Sequence, residues 1–177
     1  TILFYPIFWK NPLLIFDAIN QMRNYQHGVC TLTLGNCMES TNLQSSYIFI
    51  WLFFKLPLLA FIGLTLFPFV EKKIFSHSIH RIILGSILLT IITIIFLLIF
   101  FEANLHDEIR HLLFLVSLIL IVSFSTIYFF SKKLLLYTTI ISILIFAIQN
   151  INMYPYQYTW FNFFGNFTNI NNNFDLD

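Results

Sequence analysis

The stretch IILGSILLTIITIIFLLIFF, residues 82–101, decides what kind of protein this is. It runs for a full membrane crossing without one charged side chain. At 1.5 Å of rise per residue, about 20 residues of helix cross the ~30 Å of hydrocarbon in a bilayer. The run shows no strict alternation of apolar and polar residues. A lone spanning segment must also satisfy its backbone hydrogen bonds internally, and a helix does so.

Three further runs read the same way: Tyr47 to Val70, His111 to Phe130, and Leu134 to Ile148. The last is extended at its far end through Gln149 and Asn150. The expected fold class is therefore an all-α integral membrane protein with about four transmembrane helices. Composition agrees. The 177 residues are 58% hydrophobic and 10% charged, against about 25% charged in a soluble domain. So few polar groups cannot cover the chain in water, which leaves lipid as its solvent. A net charge of +1 gives no basic footprint for nucleic acid. No basic segment precedes an apolar run at the start, so no signal peptide is read. Both ends are expected to be cuts through a larger protein, with Thr1 to Trp9 the tail of a fifth helix.

Three regions follow: an outer-face loop over 1–46, a four-helix region over 47–149, and an aromatic, Asn-rich outer-face tail over 150–177. Basic residues orient them. Lys72, Lys73 and Arg81 follow the first run, and Lys132 and Lys133 follow the third. With four spans these connections share one side, so loops 71–81 and 131–133 are assigned to the cytoplasm, and the protein to the cell inner membrane. The opposite side receives Lys10, Arg23 and Arg110 with most of the acids. Residues 11–27 are expected to form an interfacial helix, with Asn11 at its N-cap and Pro12 in its first turn. Leu14, Ile15, Ala18, Ile19, Met22 and Tyr25 fall on one face, and Asp17, Asn20, Gln21 and Asn24 on the other. Such a helix can lie flat on the membrane or pack on the protein's own loops.

Side chains with chemistry crowd the start of the third helix: Glu102, His106, Asp107, Glu108, Arg110 and His111. Glu102 with His106, and Asp107 with His111, stand four apart and can meet on a helix face. No metal-ligand motif is present, so no metal site is assigned and no cofactor is evident, while a divalent cation is left open. One reading is a solvated turn. The other is a polar lid over an anionic, membrane-borne substrate, with Arg110 as its phosphate partner. Lys55 lies within the first run, two residues before Pro57. A cation at the bilayer centre costs roughly 2.5–3.5 kcal/mol on insertion scales. Lys55 therefore either snorkels to the interface or faces the bundle. Pro57 removes a backbone bond and can kink the helix. Cys30 and Cys37 read equally as a bridge or as two separate small residues. The tail Tyr154 to Asn162 reads as an aromatic belt, although Pro155, Gln157 and Asn162 are not required for one.

Several fragments resemble the mid-chain region of bacterial glycosyltransferases similar to the dolichyl-phosphate-mannose–protein mannosyltransferases, of the GT-C fold. These are Tyr5-Pro6-x-x-Trp9-x-x-Pro12, Thr31-Leu32-x-Leu34-Gly35, and Tyr47 to Pro57. Asp107-x-x-Arg110-His111-x-x-Phe114 resembles the family's Y-D-G-x-R-H-x-x-F, and Pro155-Tyr156-Gln157-x-x-x-Phe161-Asn162 resembles its H-P-Y-Q-x-x-Y-F-N. The final Phe174-Asp175-Leu176-Asp177 resembles the start of F-E-L-D-Y-W. There are departures. His106 and Glu108 stand for Tyr and Gly, Tyr154 for His, Trp160 for Tyr, and Val116-Ser117 where a Pro is common.

The resemblance implies part of an inverting, mannosyltransferase-like membrane enzyme. It would move a sugar from a polyprenyl-phosphate carrier to an acceptor at the outer face. Its expected partners are the lipid-linked donor, membrane lipids and the N-terminal remainder of the same protein. The family's acidic catalytic pair has no match here, so the base is expected in that remainder and this segment alone is expected to be inactive. Arg110, His111, Asp107, Lys55, Tyr156, Gln157 and Asn162 are the residues expected to bind substrate. The competing class is a polytopic transporter or a non-catalytic membrane subunit. A transporter would place ionisable residues near mid-bilayer in several spans, whereas the second and fourth runs here have none.

Overall fold

Helices make up most of the computed structural model, which describes residues 11–23, 30–39, 44–101, 103, 105, 109–154, 160–168 and 170–174. In chain order they are α1 (Leu14–Arg23), α2 (Ser46–Lys55), α3 (Leu58–Phe75), α4 (Ser78–Phe100), α5 (Leu113–Phe130), α6 (Lys132–Asn152) and the short α7 (Ile170–Asn173). A 3-10 turn, Arg110–Leu112, leads into α5, and another, Phe163–Phe167, follows α6. Strands β1 (Cys30–Thr33) and β2 (Asn36–Glu39) pair antiparallel between α1 and α2.

Three segments are long and apolar enough to cross a membrane: Ser78–Phe100, Arg110–Phe130 and Lys132–Asn152. They match the second, third and fourth apolar runs to within four residues at either end. The first run differs from the continuous helix expected of it. α2 and α3 meet at 111° and count as a fourth span only as a bent pair. The cause is Pro57, which has no backbone N–H and disfavours helical geometry in the residue before it. Leu56 is accordingly extended, with φ −73° and ψ 135°. Pro68, by contrast, lies inside α3 without ending it. Thr65 Oγ1 donates to the carbonyls of Phe61 and Ile62 in the preceding turn, at 2.9 and 3.0 Å.

α3 packs most closely on α5. A Cβ added at Gly63 would collide with the backbone and Cβ of Ser123. At this contact Ser123 Oγ donates to the carbonyl of Ala60 at 3.0 Å, with both residues buried. Small residues let two helix backbones approach where hydrocarbon supplies no hydrophobic drive between them. At one end of the bundle Lys73 Nζ donates to Phe129 O at 2.8 Å, and the His80 ring stands 5.0 Å from that of Phe129. A cation suits the carbonyl end of α5. The two basic connections therefore share one end, as the charge pattern required. Val70, Ile74, Leu84 and Val122 pack beside it.

The opposite end carries the hairpin and the main core around Trp51, Tyr47, Phe54, Phe161 and Phe174. The hairpin turns through Leu34 and Gly35, both at positive φ, 51° and 77°. Glycine reaches this region freely, and the pair matches the twist of a tight hairpin. Cys30 and Cys37 are joined by a disulfide across the hairpin, which decides between the two readings of that pair. Thr33 forms a bridge with Phe174, and Gly35 N donates to Asn173 O at 3.0 Å. Asn173 and Phe174 are thus joined to the hairpin and its turn.

α1 begins where Asn11 Oδ1 accepts from Leu13 N at 3.3 Å. Leu14, Ile15 and Ala18 are half-buried, and Asp17, Asn20 and Gln21 are exposed. For these residues this is the division expected of an amphipathic helix, although Leu13 and Phe16 are exposed too; residues 24–27 of the expected helix, and Thr1 to Trp9, lie outside the described residues.

Candidate functional site

At the hairpin end the break between α2 and α3 leaves backbone carbonyls without helical donors, and the tail supplies them. Asn162 N donates to Phe54 O at 2.9 Å. Its side-chain Nδ2 donates to Phe53 O at 2.6 Å and Leu56 O at 2.7 Å. Its Oδ1 accepts from Phe164 N at 2.9 Å, starting the 3-10 turn. Asn162 is only 1% exposed. An unpaired carbonyl here would carry a desolvation penalty of about 1–3 kcal/mol. Both amide hydrogens are engaged by backbone, which makes this residue a brace for the broken helix.

Lys55 is the last residue of α2, beside that break, and is 7% exposed. Its ammonium sits over the ring of Phe161 at 4.2 Å and that of Trp51 at 5.5 Å. Of its two sequence readings, the one facing the bundle holds. A cation over an aromatic face gains ~2 kcal/mol when desolvated, and the carbonyl end of α2 favours positive charge. Trp51 is itself fixed, fully buried, with Nε1 donating to Thr33 Oγ1 at 3.2 Å. Hairpin, tail and broken helix thus converge on one lysine.

From Lys55 a cavity of about 380 Å³ runs between the α2–α3 break, α5 and α6. Pro57, Leu59, Leu120, Phe124, Ile143 and Phe146 give it apolar walls, with Thr139 and Ser142 the hydroxyls. Its size falls within the usual range for ligand pockets, about 300–1,000 Å³. The α6 side is the loosest wall, since no α6 residue is buried. Trp160 lines the cavity from the tail. Its Nε1 donates to Gln149 Oε1 at 2.8 Å, and its ring packs edge-on against Phe146, with centroids 5.5 Å apart.

The other expected residues distribute as follows. Arg110 and His111 are the exposed residues of the 3-10 turn that opens α5, at the same end as Lys55. Leu112 and Leu115 seat that turn in the core around Trp51. Asp107, Tyr156 and Gln157 lie outside the described residues, as do Glu102, His106 and Glu108. Among the described residues no three His, Cys, Asp or Glu side chains gather where a metal ion could sit. Sequence reasoning missed Trp51, Phe161 and Trp160 as components of the site. The available signal was the recurrence of aromatics at 51, 54 and 161 around the only lysine in an apolar run. Comparison with known protein families, curated proteins and solved structures finds no match to this chain.

Proposed function

We propose that this chain is part of a membrane enzyme that transfers a sugar from a polyprenyl-phosphate carrier to an acceptor at the outer face of the membrane. The observation that carries the reading is a buried lysine at the head of an apolar cavity between membrane-length helices. A prenyl phosphate has this same distribution of properties: one anionic head on a long apolar chain. Lys55 supplies the positive point charge for the head, while Leu120, Phe124 and Ile143 offer the chain an apolar wall. Arg110 and His111, at the same end, add donors where the acceptor and the sugar would meet. A guanidinium grips phosphate oxygens in a bidentate fork that an ammonium cannot reproduce. Sugar transfer itself rests on the resemblance of the fragments around Arg110 and Asn162, and the catalytic base is assigned to a part of the enzyme other than these residues. In this reading the hairpin end faces outward and the basic connections face the cytoplasm.

The test is sugar transfer by the full-length enzyme in membranes. Arg110→Ala should lower turnover at least about a hundredfold, the scale of losing a positioned charge in a transition state. Arg110→Lys should be impaired as well, with insertion and expression unchanged. Normal turnover in both variants would remove Arg110 from the site. A transporter would instead show lipid or solute movement without any change in the sugar's linkage.

A further inference from the structure

We propose that Trp160 is a specificity-determining residue: it sets the cross-section of the cavity below Lys55 so that one chain enters and two do not. This inference rests on the cavity's assignment to a prenyl phosphate. The physical problem is selectivity. A phosphate-headed site open to a bilayer is surrounded by phospholipids with anionic heads and two acyl chains. Discrimination against such an abundant competitor needs a feature that rejects it, beyond contacts that favour the right ligand. Lys55 cannot provide that, because both kinds of lipid carry phosphate.

Trp160 is placed to do so. A second space of about 30 Å³ lies beside the main cavity, and both are bounded by Pro57, Ser142, Phe146 and Trp160. The second space is about the volume of one water, far too small for an acyl chain. Two of the four dividing residues, Ser142 and Phe146, belong to α6 and Pro57 lies in the α2–α3 break, whereas Trp160 arrives from the tail. Its ring is fixed from two directions. Gln149 and Phe146 hold it to α6, and two residues later Asn162 is bonded to the α2–α3 break. Removing the indole would join the two spaces and open a second channel along α6. Among the described residues, the bond that Trp160 Nε1 donates to Gln149 Oε1 is also the side-chain hydrogen bond that ties the tail to α6.

The experiment measures binding of two phosphomonoester lipids to the purified full-length protein by equilibrium dialysis. Farnesyl phosphate has one chain and dilauroyl phosphatidic acid has two. The native protein should bind farnesyl phosphate at least about tenfold more tightly. In Trp160→Ala the ratio should fall to within about threefold through gained binding of phosphatidic acid, with farnesyl phosphate little changed. Trp160→Leu should shift the ratio the same way and guards against a folding failure of the alanine variant. Trp160→Phe keeps a ring as the wall and should retain most of the native ratio. An unchanged ratio in Ala and Leu variants that still bind farnesyl phosphate would overturn the role of Trp160 and leave the cavity's assignment standing. Equal binding of both lipids by the native protein would also overturn it. Failure of the native protein to bind farnesyl phosphate would reject the assignment of the cavity, and this inference with it.

Discussion

Asn162 and Lys55 show how single residues at this end serve structure and chemistry together. The 111° bend between α2 and α3 leaves carbonyls without helical donors, and one asparagine accounts for three of them, at Phe53, Phe54 and Leu56. Asn162→Ala removes two side-chain donors and leaves two acceptors unmatched, the part-buried Phe53 O and the buried Leu56 O. At about 1–3 kcal/mol each, the expected cost is ~2–6 kcal/mol. Thermal unfolding in detergent should show it as a clear drop in midpoint, and a change below experimental error would mean the brace is unnecessary. The sequence pointed to Asn162 as a polar residue out of place in an aromatic belt. Its partners lie more than a hundred positions away, so its task was not readable from local pattern. Lys55 was visible as a costly cation, but of the two aromatic rings that hold it only Trp51 is in its own helix, and Phe161 comes from the distant tail.

Among the elements, the long apolar helices α4, α5 and α6 were plain in the sequence because uninterrupted hydropathy over some twenty residues has one common solution in lipid. The break in the first run was not plain. Residues 47–70 are apolar on both sides of Pro57, so hydropathy is the same for one helix or two, and proline alone does not set a bend angle. The hairpin was missed for a different reason. Its strands are four residues each, too short for a periodic signal, and much of their support comes from Trp51 and Phe174. The close contact of α3 with α5 gives an element-scale prediction with its own control. Gly63→Ala should destabilise the bundle by more than about 1 kcal/mol, since the added methyl meets Ser123 in a packed interface. Gly85→Ala, on α4 with open space around it, should be neutral or slightly stabilising, because alanine is the better helix former by about 1 kcal/mol. Comparable unfolding midpoints for the two variants would argue against a tight α3–α5 seam.

For the molecule as a whole, the two ends differ in chemistry: basic connections at one, and a disulfide hairpin, aromatic core and cavity head at the other. The pairing of the two basic connections is geometric, through Lys73 and Phe129. Their assignment to the cytoplasm is a prediction from charge. Because Cys30 and Cys37 are bridged, neither competes with a single introduced cysteine for a thiol reagent. In intact cells an impermeant thiol reagent should label Tyr154→Cys and leave Ser76→Cys untouched until the membrane is permeabilised. The reverse pattern would invert the topology and place the cavity head on the cytoplasmic face, where the proposed donor site would have to be reconsidered.

The most direct test of the account is the dependence of lipid binding on the charge of Lys55. Farnesyl phosphate and uncharged farnesol share a chain and differ in the head. The purified full-length protein should bind the phosphate at least about tenfold more tightly than the alcohol, and Lys55→Met, which keeps the apolar stem, should erase most of that difference while leaving farnesol binding unchanged. Equal binding of the two ligands by the native protein, or a preference for the phosphate that survives Lys55→Met, would contradict the assignment of this cavity to a lipid phosphate headed by Lys55.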